Sequence, residues 1–224
     1  MLLVDKPLEW TSFDVVNKLR YALKRRLQVK KIKVGHAGTL DPLATGLLII
    51  CTGKATKRID EYQGQPKEYT GTLKLGATTP SYDAETEPDA TFPVDHLTAL
   101  ELRAAAQRMT GFIEQVPPMF SAIKVDGQPL YKKARQGKVV ERKSRTVEIM
   151  AFELTDIRLP EVDFRVRCSK GTYIRTLAHD LGAAVGSGAY LTALRRTAIG
   201  AFSVADAWEV DALVEELERK PEEP

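Results

Sequence analysis

Residues 35–46 read Gly35-His36-Ala37-Gly38-Thr39-Leu40-Asp41-Pro42-Leu43-Ala44-Thr45-Gly46, which sets one carboxylate, Asp41, in a stretch that cannot be regular helix or strand. Three glycines free the backbone, and Pro42 drives Asp41 toward an extended conformation. The apolar run Leu47-Leu48-Ile49-Ile50-Cys51 follows directly and predicts a buried strand. A polar loop braced on a buried strand is a common way to fix a reactive side chain. An acid held there can serve as nucleophile or base without a cofactor. Composition alone favours a plainer reading, a tight turn capped by Asp41. The rest of the chain reverses that preference.

A second segment, Cys168-Ser169-Lys170-Gly171-Thr172-Tyr173-Ile174-Arg175-Thr176-Leu177, leads a strand into a helix. Arg175 falls in the first helical turn, where the helix dipole disfavours a cation. That placement suggests a specific anion partner, although an ordinary solvent-facing arginine fits the segment taken alone. Gly53-Lys54-Ala55-Thr56 imitates the end of a phosphate-binding loop, but Leu48 stands where the upstream glycine belongs. His36, His96 and His179 have no ligand spacing with one another or with either cysteine, so no metal site is expected.

The chain has 224 residues, 43% of them apolar, which is ample for a packed core. No window approaches the roughly 18 apolar residues of a membrane span. Met1-Leu2-Leu3-Val4-Asp5-Lys6-Pro7 has no basic region ahead of a long apolar core and predicts no secretory leader. Cys51 and Cys168 lie in apolar runs and read as reduced core residues of a cytoplasmic protein. The net charge of +3 hides segregation: residues 18–33 carry eight Lys or Arg and no acid, and residues 124–145 carry eight against two acids. Residues 81–101 hold six acids and no base, and residues 206–224 hold eight acids against two bases. A single basic run is usually a solvated face. Two of them, each with an aromatic inside (Tyr21, Tyr131), point to a polyanion groove.

Several elements must position these residues. Thr11-Ser12 offers an N-cap for a basic amphipathic helix with Phe13, Val16, Leu19, Leu23 and Leu27 at helical spacing. Residues 67–75 alternate as a strand, 78–93 form an acidic loop, and 97–109 form a helix. Residues 117–145 read as an excursion: a short strand over 121–125, an Asp126-Gly127 turn and a short basic helix over 129–136. Strands follow over 146–159 and 161–168, then a helix over 171–184 with Leu177 and Leu181 facing the core. A last strand over 190–202 and an acidic helix over 205–219 complete the chain. The whole reads as a single α+β domain, a mixed and mainly antiparallel sheet flanked by helices, with one inserted arm.

Gly-His-Ala-Gly-Thr-Leu-Asp-Pro-Leu-Ala-Thr-Gly, the Lys67-Glu68-Tyr69 strand, Pro117-Pro118-Met119-Phe120-Ser121-Ala122-Ile123-Lys124 and the segment ending Thr172-Tyr173-Ile174-Arg175 occur together in this order. In combination they resemble the bacterial TruB-type tRNA pseudouridine synthases, over nearly the whole chain from Leu3 to Leu194-Arg195-Arg196-Thr197. The resemblance implies the pseudouridine synthase fold, no cofactor or metal, and tRNA, through its T-arm, as partner; a monomer is the expectation, although the sequence does not fix oligomeric state. It implies Asp41 as the catalytic aspartate, Tyr69 as the tyrosine stacked on the target base, and Arg175 as the arginine paired with the aspartate. Leu194 matches the apolar residue lining the pocket. His36 matches the histidine that fills the space left by the flipped nucleotide. Tyr173, Lys6 and Lys124 lie inside the matching motifs and are assigned to RNA binding, with Lys132, Lys133 and Arg135 of the 117–145 arm, which matches the family's RNA clamp.

Two departures accompany the match. The family pattern Lys-Pro-x-Gly-x-Thr-Ser has Glu9 at its glycine, which puts the geometry of that turn in question. The residues after the last strand are too few for the C-terminal PUA domain of many relatives, and the acidity of that end argues against phosphate contact there. Two rival readings share the basic segments: a synthase acting on another RNA, and a tRNA-binding folding factor whose catalysis is dispensable. Only Asp41, Tyr69 and Arg175 separate the last from an enzyme.

Overall fold

A computed structural model describes residues 1–125 and 127–219. Asp126 of the expected turn and residues 220–224 of the acidic end lie outside the described residues. The chain runs β1 (Leu2–Lys6), α1 (Ser12–Arg26), β2 (Val34–His36), β3 (Ala44–Thr52), α2 (Ile59–Gly64), β4 (Lys67–Leu75), β5 (Ala77–Thr78) and β6 (Ala90–Thr91). It continues through α3 (Ala99–Arg108), β7 (Gly111–Gln115), β8 (Lys124–Val125), β9 (Gln128–Pro129), α4 (Leu130–Ala134), β10 (Arg145–Arg158) and β11 (Glu161–Cys168). It ends with α5 (Ile174–Ala184), β12 (Ala189–Ile199), β13 (Phe202–Ser203), β14 (Trp208–Glu209) and α6 (Val210–Glu218). Two compact units divide it: Met1–Tyr69 with Arg195–Pro224, and Thr70–Leu194. The fold is α+β, with a mixed sheet flanked by helices. No helix among the described residues is long and apolar enough to cross a membrane.

In the first unit the strand order is β14-β1-β3-β12, with β2 also on β3. β1 runs antiparallel to β3, pairing Lys6 with Gly46, and parallel to β14. The apolar run of β3 does not alternate because both its faces are covered. Leu48 and Ile50 pack with Val15, Val16, Leu19 and Leu23 of α1 and with Val210 and Leu213 of α6. Leu47, Ile49 and Cys51 pack on the other side with Tyr62 of α2 and Ile199. Each such side chain contributes roughly 1.5–3 kcal/mol by leaving water.

The helix face expected from Phe13 and Leu27 is corrected: these are exposed, and Val15 and Ala22 are buried instead. At 3.6 residues per turn Phe13 stands about 120° round from Leu19, off the buried stripe. Thr11 is the N-cap, in a reciprocal capping box with Asp14, which leaves the Ser12 hydroxyl free for another task. The last strand stops at Ile199, and β13 folds back on it, pairing Ser203 with Ala198. The acidic helix begins only at Val210, since Trp208 and Glu209 first join the sheet beside β1.

In the second unit the order is β12-β4-β11-β10-β7. Phe164, Val166 and Cys168 are buried while Arg165 and Arg167 face out, as their alternation requires. β7 has no counterpart among the expected strands; it closes this edge against β10, with Arg145 opposite Gln115. The strand expected over 121–125 shrinks to β8, and the basic helix to α4. The helix expected from Gly171 starts at Ile174, with Leu177 and Leu181 fully buried as expected.

Candidate active site

Asp41 lies between β2 and β3, half-buried, in backbone of neither helix nor strand. Three nearly inaccessible polar side chains hold the peptides around it. Ser12 accepts from the Leu40 N–H at 2.8 Å and donates to the Leu40 carbonyl at 3.2 Å. Lys6 Nζ donates to the carbonyls of Trp10 at 2.6 Å, Pro7 at 2.9 Å and Pro42 at 3.3 Å. Arg196 donates to the carbonyls of Leu47 at 2.8 Å, Gly38 at 3.0 Å and Thr39 at 3.4 Å. The Asp41 carbonyl itself accepts from the Ala44 N–H at 3.0 Å. A loop whose carbonyls are held by buried cations on both sides of one aspartate has little freedom to move it.

Glu9 occupies its turn at φ +65°, the left-handed region for which the family's glycine is suited, and its N–H donates to the Pro42 carbonyl at 2.9 Å. The turn geometry survives the departure at a conformational cost of about 1–2 kcal/mol.

Burial lowers the Lys6 pKa to about 8; Asp41 draws it upward, and Arg196 pushes it further down. The native state therefore releases the Lys6 proton near pH 8, whereas the unfolded chain keeps it to the ordinary lysine value. Stability from this group thus rises between those two values, by at most about 1.4 kcal/mol per pH unit. Urea unfolding followed from pH 7 to 10 should show that rising limb in the wild type and not in Lys6→Met. A limb unchanged by the substitution would assign it to another group.

His36 ends β2, opposite Ile50. Burial and the nearby Arg196 push its pKa down, opposed by a backbone hydrogen bond at Gly38, and so favour the neutral ring. Tyr69 is buried on β4. Asp41, His36, Lys6 and Tyr69 belong to the first unit; the other expected site residues belong to the second.

There, Arg175 is nearly inaccessible in the first turn of α5. Its guanidinium donates to the Phe120 carbonyl at 2.7 Å and the Ser81 carbonyl at 3.0 Å, and its Nε lies 3.6 Å from the Asp83 carboxylate. Asp83, also buried, is the acid beside Arg175 that sequence reasoning missed. It sits in the acidic stretch 81–101, where nothing distinguishes it from its solvated neighbours. The misfit of Arg175 with the helix dipole is offset by this carboxylate and these carbonyls. Tyr173 is the N-cap of α5, with the Arg145 guanidinium 4.6 Å from its ring centre. Leu194 is half-buried on β12. Lys124, Lys132 and Arg135 are exposed, Lys133 is half-buried, and Arg135 pairs with Glu85 at 2.7 Å. Among the described residues no three His, Cys, Asp or Glu side chains are grouped as a metal ion would need.

Residues 24–174 match the family described as TruB family pseudouridylate synthase (N terminal domain), and residues 175–223 match the tRNA pseudouridylate synthase B C-terminal domain. The chain belongs to the TruB family. It is 57% identical to the tRNA pseudouridine synthase B of Flavobacterium johnsoniae, over 97% of this chain and 96% of that one. It is 58% identical to the enzyme of the same name from Phocaeicola vulgatus, over 98% and 94%. Among solved structures it resembles the Cbf5-Nop10-Gar1 complex, with a TM-score of 0.72 and 29% identity over 96% of this chain. It spans 53% of that longer chain. In this TruB frame Asp41 is the carboxylate of the Gly-His-Ala-Gly-Thr-Leu-Asp motif, and the clamps of Lys6, Ser12 and Arg196 are what this chain builds around it.

Proposed function

We propose that the chain is a cofactor-independent tRNA pseudouridine synthase that isomerises uridine-55 in the T-loop, working as a cytoplasmic monomer on the T-arm. The observation that carries this reading is the fixed backbone around Asp41, whose neighbours Leu40 and Pro42 are both held by buried side chains. A protein that only bound RNA would gain nothing from immobilising an acid, since carboxylates repel phosphates.

A uridine stacked in a folded loop presents no reacting atom, so the nucleotide must leave the stack. That costs a few kcal/mol and is offset by about 1–3 kcal/mol from stacking on an aromatic such as Tyr69. The bond between C1′ and N1 then breaks, the uracil turns, and C1′ bonds to C5. The C5 proton is lost and N1 gains one, so substrate and product are isomers. In this reading Asp41 acts as nucleophile or base in the exchange. Arg175 supplies the fixed cation, and His36 the neutral ring that fills the vacated space.

The deciding experiment is incubation with an unmodified tRNA transcript followed by position-resolved detection of pseudouridine. Product at uridine-55 alone supports the reading. Product elsewhere, or only with a guide RNA, favours a synthase for another RNA, and binding without product favours the folding factor.

The 117–145 arm grips the phosphates in this reading. Neutralising Lys132, Lys133 and Arg135 together should weaken tRNA binding. It should also flatten the plot of log affinity against log salt by about 0.7–0.9 for each phosphate no longer neutralised. A slope that stays put in filter-binding titrations would place the RNA on another surface.

A further inference from the structure

Gln115, the last residue of β7, is fully buried, yet one distant residue satisfies its amide. Nε2 donates to the Tyr173 carbonyl at 3.0 Å, and Oε1 accepts from the Tyr173 N–H at 2.7 Å. The Tyr173 carbonyl also accepts from the Leu177 N–H at 3.1 Å, so the amide adds a second bond there and supplies the bond of the Tyr173 N–H, which together restrain that residue's place and rotation. Tyr173 is the N-cap of α5, its side chain makes no capping bond there, and Arg175 follows two residues on. Directly across the ladder from Gln115 stands Arg145. Its guanidinium lies over the Tyr173 ring at 4.6 Å and donates to the Gly171 carbonyl. Residues 116–144 leave and return between these two partners, so both ends of the arm are fastened on residues 171–173. The arm also reaches Arg175 itself, through the Phe120 carbonyl at 2.7 Å.

We propose that Gln115 is a positioning residue for Arg175, its amide locking the backbone of Tyr173 so that the guanidinium is presented at one place and in fixed relation to both ends of the arm. This rests on the reading of Arg175 as part of the reacting site. Gln115 touches neither base nor phosphate in this role; it acts through the helix start.

The test compares Gln115→Met, Gln115→Glu and Arg175→Met in the full chain, each well below its melting temperature. Single-turnover pseudouridine formation and tRNA affinity are measured separately. Gln115→Met keeps the length of the side chain and removes both hydrogen bonds. It should slow the chemical step at least about tenfold while leaving tRNA affinity within about threefold. Gln115→Glu adds a pH readout that a merely structural role would not move. As a carboxylate it accepts from the Tyr173 N–H but opposes the Tyr173 carbonyl; protonated, it regains the donor. Burial favours the neutral acid, so the rate of this variant relative to wild type should climb as pH falls. That variant at low pH also serves if Gln115→Met does not fold. A wild-type rate in Gln115→Met, or a rate ratio for Gln115→Glu that is flat with pH, overturns the proposal. If Arg175→Met loses the rate while Gln115→Met keeps it, the reading of Arg175 stands and the positioning role falls. If Arg175→Met keeps the wild-type rate, the reading of Arg175 itself fails.

Discussion

Asp41→Asn abolishes pseudouridine formation, by at least about 10³-fold, while tRNA affinity stays within several-fold of wild type. The substitution is nearly isosteric and changes one oxygen for an amide nitrogen. The hydrogen bonds holding its neighbours come from Lys6, Ser12 and Arg196 and end on backbone atoms, so they persist. What disappears is the lone-pair basicity and nucleophilicity of a carboxylate, which no neighbouring amide can supply. Tritium release from 5-tritiated uridine in tRNA measures the step directly, because C5 must shed its hydrogen. Turnover at the wild-type rate would remove Asp41 from the chemistry and leave its clamped loop unexplained.

Gly46→Ala is expected to cost about 4 kcal/mol or more and to leave little folded protein. Gly46 sits in β3 at φ +105°, opposite Lys6 on β1. A methyl group there would stand 2.3 Å from the Arg196 carbonyl oxygen and 2.7 Å from the Arg196 nitrogen. Both atoms are backbone, so relief requires parting β3 from β12 rather than turning a side chain. The same displacement would pull on both cations that grip the Asp41 loop. Gly53→Ala is the control, since it has φ +54° and nothing within 4 Å of the added carbon. It should cost only the left-handed penalty of about 1–2 kcal/mol. Urea midpoints for the two variants measure the difference, and equal losses would show that strand contact at Gly46 is not what forbids a side chain.

What could be read in advance followed from local rules. The apolar run of β3 and the alternation along β11 depend on neighbours in the chain, and both appear as expected. The devices around Asp41 depend on partners far away. Ser12 reaches across 28 residues, Lys6 across 36, and Arg196 across 158. Lys and Arg in a sequence look like surface charges, because most are. Nothing near Lys6 or Arg196 in the chain announces that each is buried among carbonyls. Phe13 errs in the opposite direction: an aromatic in an amphipathic helix reads as core, yet α1 already fills its seam with Val15, Leu19 and Ala22. Asp83 was hidden by its own neighbourhood, one acid among six.

The basic helix α1 illustrates how a linear charge count misleads. Lys18 lies 3.4 Å from Asp211 and Arg25 lies 3.0 Å from Glu218, both on α6, while Arg26 donates to the Arg219 carbonyl at 2.7 Å. These acids are joined to the helix by the same polypeptide, so they stay close at any salt concentration, although salt screens exposed pairs of this kind. A cation already matched in this manner has little to gain from a nucleic acid, whose attraction comes largely from setting mobile ions loose. Lys18 and Arg25 of the first basic run thus carry tethered counterions, as Arg135 of the second does in Glu85, so neither run's linear count of lysine and arginine equals the charge it offers a phosphate.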